Sequence, residues 1–281
     1  MLSYQPENLR ELSEILGKMT EKSKIIGGGT DLIIGIRSGR FVPDCLLYLG
    51  NVSESRSIFA DKKYLHIGAS VTMSELAKSP LLGEYFGALR DAASDVGSEQ
   101  VRNRATLGGN IANASPAGDL IPVMCLLNAR AHVLNPDGSE NIINVKDLPE
   151  RPGKTILTPN QAIYKFSLSL KKGVSHFCKL GFRTKVTIAR IGLAVLLSED
   201  EEKNINNFDI VASAIAGKPV FFSEIAPLIA GKKVDDPVVA EIIGNAVGAY
   251  INENTPKEFD RDYKAIAVKG VAADVMAKFA L

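Results

Sequence analysis

Residues 96–119 read Val96-Gly-Ser-Glu-Gln-Val-Arg-Asn-Arg-Ala-Thr-Leu-Gly-Gly-Asn-Ile-Ala-Asn-Ala-Ser-Pro-Ala-Gly-Asp119. The stretch shows little helical or strand periodicity. A polar segment this long inside a domain reads as a functional loop. Its glycine pair, Gly108-Gly109, lets backbone N–H groups come close to an anion without a β-carbon in the way. Thr106, Asn110 and Ser115 add hydroxyls and amides. Asp119 stands at the start of Leu120–Leu127, an apolar run that reads as a buried helix. It is either an N-cap, worth about 1 kcal/mol, or an acceptor for ligand hydroxyls such as those of a ribityl or ribose chain. Arg102 and Arg104, just upstream, suit diphosphate charge or the face of a partner protein.

A second glycine loop lies closer to the N-terminus. Lys24-Ile25-Ile26 is a short apolar strand running straight into Gly27-Gly28-Gly29-Thr30-Asp31, with Leu32–Ile36 as a brief helix behind it. The spacing is not the G-x-G-x-x-G of a Rossmann turn. Gly153-Lys154-Thr155 has the ending of a Walker A loop, but Leu148 occupies the place of its leading glycine. Taken alone, the triple glycine is also compatible with a tight turn. Two such loops in one chain suggest a dinucleotide whose diphosphate is held from both sides.

Around these loops the chain is α+β. Leu9, Leu12, Ile15 and Leu16 mark an amphipathic helix over 8–18. Thr72-x-x-Glu75 is a capping-box pattern and starts a helix at Thr72; another helix is expected over 82–96. Pro136-Asp137-Gly138 is a turn between strands. Strands are expected at 162–170, 176–182, 192–198 and 209–216, and helices at 223–230, 237–252 and 259–279. A boundary falls near Lys171-Lys172-Gly173.

Composition narrows the function classes. The 281 residues carry a net charge of +1, which argues against a nucleic-acid footprint. No apolar run is long enough for a membrane span, and Met1–Arg10 lacks a secretory apolar core; a cytoplasmic location is expected. Cys45, Cys125 and Cys178 are scattered, which gives no disulfide frame, zinc site or iron–sulfur cluster. No Ser–His–Asp set, paired carboxylates or metal-ligand spacing stands out, as suits a chain whose reactive group is a cofactor.

Lys24–Leu32 resembles the first FAD loop of the FAD-binding subunits of molybdenum hydroxylases, the xanthine, carbon monoxide and nicotinate dehydrogenase type. Val96–Asp119 resembles their second loop. Ile67-Gly-Ala-Ser-Val-Thr-Met-Ser-Glu-Leu76 resembles the unit between the loops, and Asp262-Tyr263-Lys264 their closing helix start. The resemblance implies a two-subdomain FAD-binding fold of the vanillyl-alcohol oxidase type over 1–172, divided at about 55/56. A smaller α+β domain follows over 173–281. It implies one non-covalent FAD, since no histidine lies beside the first loop. Ile25, Ile26, Gly27, Gly28, Gly29, Thr30, Asp31 and Leu32 would wrap the diphosphate. Thr106, Gly109, Asn110, Ser115 and Asp119 would bind the diphosphate and ribityl side. Leu32, Val96, Tyr164 and Lys179 match positions around the flavin ring. Thr187 stands where relatives often have Asp, and no role is given to it.

The implied function is electron transfer inside an assembly. A molybdenum-cofactor subunit and a [2Fe–2S] subunit would feed electrons to this FAD, and an external acceptor such as NAD would take them. Two alternatives stand beside this. One is a stand-alone flavin reductase or oxidase, with Lys179, Arg183, Lys185 and Arg190 as an anion patch. The other is a nucleotide-binding scaffold without flavin.

Overall fold

The apolar spacing at the N-terminus produces the helix Leu9–Leu16, with Leu12 and Leu16 fully buried. Asn8 caps it by accepting from the Glu11 N–H at 3.0 Å. This helix connects two strands of a small parallel sheet. Cys45–Tyr48 forms the centre of that sheet, between Leu2–Tyr4 and Lys24–Ile26. Leu47 on the central strand is fully buried. The computed structural model describes residues 1–184 and 186–280.

A five-stranded antiparallel sheet follows, in the order Ile58–Ala60, Tyr64–Gly68, Ala162–Ser169, Arg130–Leu134, Glu140–Asn144. Leu65, Ile67, Phe166 and Leu168 alternate along two of these strands and are buried, the period-2 pattern of a sheet with an inner face. Asn135–Ser139 makes the expected turn between Arg130–Leu134 and Glu140–Asn144, with Gly138 at φ +81°. Residues 1–81, 98–114 and 128–170 make one compact unit around these two sheets.

The second unit comprises residues 82–97, 115–127 and 171–281. Its core is a four-stranded antiparallel sheet in the order Val174–Gly181, Ala189–Glu199, Ile205–Ser213, Val220–Phe221. Ile191, Leu193, Val195 and Leu197 face the long helices Pro237–Asn254 and Arg261–Ala277, packing on Val239, Ile243, Val247 and Val268. The helices Gly87–Asp95 and Leu120–Leu126 also pack on this sheet. Gly87 permits a close approach: a β-carbon there would overlap the Ser175 carbonyl. Ser175 then donates to the Tyr85 carbonyl at 2.6 Å and accepts from the Ala88 N–H at 3.1 Å.

Residues 82–97 and 115–127 group with the C-terminal part although they precede residues 128–170 of the first unit in sequence. Their apolar faces bury against the later sheet, so contacts rather than sequence order set the units. The segment 97–119 is also more regular than expected. It contains the short helices Glu99–Arg102 and Leu107–Ala112, capped by Ser98 and Thr106. Among the described residues, no helix is long and apolar enough to cross a membrane.

A three-way acceptor ties the second unit's C-terminus down. Asp91 Oδ2 receives His176 Nδ1 at 3.0 Å, the Phe177 N–H at 3.1 Å and Lys278 Nζ at 2.9 Å. Burial pushes the Asp91 carboxyl up, but the His176, Lys278 and Phe177 hydrogen bonds together outweigh it and hold it below the usual 3.8. A depressed carboxyl contributes stability that is complete above its unfolded value and is lost as pH falls through its folded one. Asp91→Asn is therefore expected to lower the unfolding free energy by about 2 kcal/mol at pH 7. In urea titrations the gap to wild type should close toward pH 3; a gap of constant size would show that Asp91 acts by shape alone.

Candidate cofactor site

The glycine loop is held by its own second loop. A β-carbon on Gly27 would stand 2.5 Å from Thr106 Oγ1, and one on Gly28 would overlap the Arg104 carbonyl oxygen. Gly29 has φ +74°, a left-handed conformation that favours glycine. Each glycine thus answers a local need: two allow close approach and one allows the turn.

The other side of the second loop is pinned as well. Leu107 N–H donates to the Val71 carbonyl at 3.0 Å, Met73 N–H to Ala105 at 2.9 Å and Gly108 N–H to Ala69 at 2.8 Å. These bonds set Thr72 beside Thr106 as an isolated antiparallel bridge. Both threonines cap helices. Thr106 Oγ1 accepts from the Gly109 N–H at 3.1 Å, and Thr72 and Glu75 complete the expected capping box.

A cleft of about 420 Å³ opens along this contact. Of the residues singled out from sequence, Gly27, Gly28 and Thr106 line it, joined by Arg104. Tyr48, Gly50, Arg56, Ser70, Thr72, Ser74, Glu75 and Asn103 complete the lining; none was assigned to a site in advance. Thr72 had a visible signal in its capping box. Tyr48 and Gly50 had none, because their place depends on the pairing of the central strand with the loop strand.

The remaining first-unit candidates stand apart from the lining. Ile25 and Ile26 belong to the strand, and Thr30 and Leu32 are half-buried beyond the turn. Asp31 is exposed and lies 3.6 Å from Arg40. Gly109 and Asn110 sit inside Leu107–Ala112, and Asn110 Oδ1 is buried without a partner. Tyr164 is buried; its hydroxyl donates to Glu140 and its ring meets His132 edge-on.

The second unit holds the others. Val96 ends the helix Gly87–Asp95. Ser115 Oγ accepts from the Ala117 N–H at 3.3 Å. Asp119 does not cap its helix: it already has helical backbone angles, φ −62° and ψ −33°, and its side chain makes no capping bond. Its Oδ2 instead accepts from Lys179 Nζ at 2.6 Å, and the same ammonium donates to the Asp95 carbonyl at 2.9 Å. The two side chains are only 8% and 6% exposed. Burial pushes the Asp119 carboxyl up to about 6, against the pull of Lys179. Asp119 Oδ1 is buried with no donor. A raised carboxyl opposes folding when ionised, so this part of the stability is fullest below about pH 4 and declines as pH climbs to about 6.

Of the residues considered as an anion patch for a stand-alone enzyme, the described ones have other partners. Lys179 is held by Asp119. Arg190 pairs with Asp260 and stacks on Phe182 and Tyr263. Arg183 Nε donates to the Val186 carbonyl at 2.8 Å. Lys185 lies outside the described residues.

The donor and acceptor set fits a dinucleotide. Backbone at two glycines, a hydroxyl and an arginine face one cleft, as an anionic diphosphate requires. Asn110 Oδ1 in the first unit and Asp119 Oδ1 in the second are each buried acceptors lacking a donor, at an expense of about 1–3 kcal/mol apiece.

Residues 1–168 match the family described as the FAD binding domain in molybdopterin dehydrogenase. The chain belongs to this family. It is 26% identical over 234 residues to the nicotinate dehydrogenase FAD-subunit of Eubacterium barkeri, covering 81% of this chain and 79% of the relative. It is 24% identical over 265 residues to the glyceraldehyde dehydrogenase medium chain of Sulfolobus acidocaldarius, covering 94% and 92%. A solved chain of quinoline 2-oxidoreductase from Pseudomonas putida 86 superposes with a TM-score of 0.86 at 22% identity, covering 99% and 96%. The expected α+β architecture is the fold these chains share. The protein is thus an FAD-binding subunit of the molybdenum hydroxylase family, as its two loops implied.

Two outcomes test this geometry. Gly28→Ala is expected to destabilise the flavin-free chain by about 1–3 kcal/mol, because the clash is internal; thermal unfolding equal to wild type without flavin would return the clash to the ligand. Lys179→Met strands a buried carboxylate, a loss of about 3 kcal/mol at pH 8. The loss should shrink at pH 5, where Asp119 takes up a proton, and Asp119→Asn in the same chain should restore part of it. Equal losses at both pH values would mean that Lys179 acts by packing alone.

Proposed function

We propose that this chain holds one FAD without a covalent bond and serves as the electron outlet of a molybdenum hydroxylase assembly. The cleft between the glycine loop and residues 104–106 carries the reading. There Gly27 and Gly28 present backbone, and Thr106 and Arg104 add a hydroxyl and a cation, to the diphosphate. The other assigned residues of Ile25–Leu32 shape the loop. Gly109, Asn110, Ser115 and Asp119 serve the diphosphate and ribityl side, with Leu32, Val96, Tyr164 and Lys179 around the ring. When bound, FAD supplies the means to accept electrons singly and pass them on in pairs.

The chain's own groups bind and orient. Lys179 is fixed by two acceptors, so its ammonium presents its remaining hydrogen in one direction. Asp119 keeps one oxygen for a ligand hydroxyl. A non-covalent link is favoured by the histidines: His66 bonds Asp61 at 2.9 Å, His132 bonds Glu140 at 2.9 Å and His176 bonds Asp91. Each is spoken for by a carboxylate. On this reading a molybdenum-cofactor subunit and a [2Fe–2S] subunit are the partners, with NAD as the acceptor and the cytoplasm as the location.

Natively purified complex tests this. Absorbance is recorded before and after acid precipitation, followed by NADH formation with the complex's reducing substrate. Flavin bands should pass into the supernatant, with iron–sulfur absorbance contributed by co-purifying chains. Flavin retained in the pellet would mean a covalent link. A colourless protein that takes up no added FAD would overturn the reading, and a flavin reduced by substrate but not reoxidised by NAD would replace the acceptor.

A further inference from the structure

One wall of the cleft has no task under the reading above. Tyr48 ends the central strand of the parallel sheet and pairs with Ile26, the last residue before the glycine loop. The Leu49 N–H donates to the Ile26 carbonyl at 3.0 Å, which locks the two strand ends in step. Neighbouring strands lie about 4.8 Å apart, so Tyr48 starts one strand away from Gly27. The carboxyl ends of parallel strands are also where open sheets of this kind receive ligands.

Gly50 gives this tyrosine its seat. A β-carbon there would overlap the Tyr48 phenol ring, so the ring folds back over the bare α-carbon. The Gly50 carbonyl in turn accepts from Arg56 Nη1 at 3.3 Å. Ring, glycine and guanidinium all line the cleft, and Tyr48 is only half-buried. The result is a flat aromatic surface with a cation beside it, one strand from the loop assigned to the diphosphate. The positions matched to the flavin ring, Leu32, Val96, Tyr164 and Lys179, are absent from the lining. The base served at this end is therefore the other one.

We propose that Tyr48, seated on Gly50 and flanked by Arg56, is the stacking platform for the adenine of the ADP moiety of the cofactor. The inference rests on the reading that this cleft holds the FAD diphosphate. Stacking reads the π-face of a purine, so it needs an aromatic ring and not the hydroxyl. Gly50 is a specificity residue on this account, because any side chain there lifts the ring from its seat.

The test titrates ADP, FAD and FMN into the flavin-free full chain by calorimetry. Wild type is compared with Tyr48→Leu, Tyr48→Phe and Gly50→Ala, and thermal unfolding of each chain without ligand controls for misfolding. Tyr48→Leu should weaken ADP and FAD roughly tenfold to a hundredfold, with FMN unchanged. Tyr48→Phe should stay within about twofold of wild type, since it keeps the ring. Gly50→Ala, which keeps the tyrosine, should weaken ADP in the same direction as Tyr48→Leu. Unchanged ADP and FAD affinity in a folded Tyr48→Leu chain would overturn the proposal. A loss for FMN and FAD with ADP unaffected would also overturn it, by placing the ring under the isoalloxazine. A wild-type chain that binds neither FAD nor ADP would instead sink the cofactor reading itself.

Discussion

The cleft depends on one steric constraint: the backbone of Gly27 and Gly28 lies against residues 104–106 with no room for a β-carbon. That approach makes two segments remote in sequence into one surface. It also fixes Thr106, whose hydroxyl touches the place where a Gly27 side chain would be and caps the Leu107–Ala112 helix. The bridge to Thr72 extends the arrangement to the next helix start. Glycine here is a packing residue first. Its service to a ligand follows from the surface that the packing leaves exposed.

The second unit is built around an electrostatic choice rather than a steric one. Asp119 and Lys179 are nearly dry, and a pair of buried charges is seldom the most stabilising way to fill such a space. Apolar residues of similar volume would do as well or better. The pair instead fixes an ammonium between a carboxylate and the carbonyl that ends the helix Gly87–Asp95. It leaves Asp119 Oδ1 without a donor. Both features give up folding energy and keep polar groups oriented, as the proposed FAD site requires.

Much of the fold was legible in the chain. The spacing of Leu9, Leu12 and Leu16 and the Thr72–Glu75 box follow from local chemistry and lie in helices the structure forms, while the strand expected at 192–198 extends over Ala189–Glu199. The 97–119 segment was misread as irregular because its two helices are a turn or so long and owe their existence to Ser98 and Thr106 caps. The grouping of 82–97 and 115–127 with the C-terminal part was invisible, since nothing local says against which sheet an apolar helix will pack. In the same way Asp119 was open by position to a capping role or to a ligand-acceptor role, and its helical backbone and a partner 60 residues away exclude the cap.

The candidate site divides along the same line. Gly27, Gly28 and Thr106 were readable because a glycine run and a hydroxyl beside a glycine pair are short-range chemistry. Tyr48, Gly50 and Arg56 were not, because their meaning comes from strand register: Ile26 opposite Tyr48 brings an unremarkable strand end to the loop. A one-residue slip would turn the tyrosine to the other face and remove the reason for glycine at position 50. The positions hardest to read are thus those where the parallel sheet, and not the loop motif, decides what the cleft presents to a ligand.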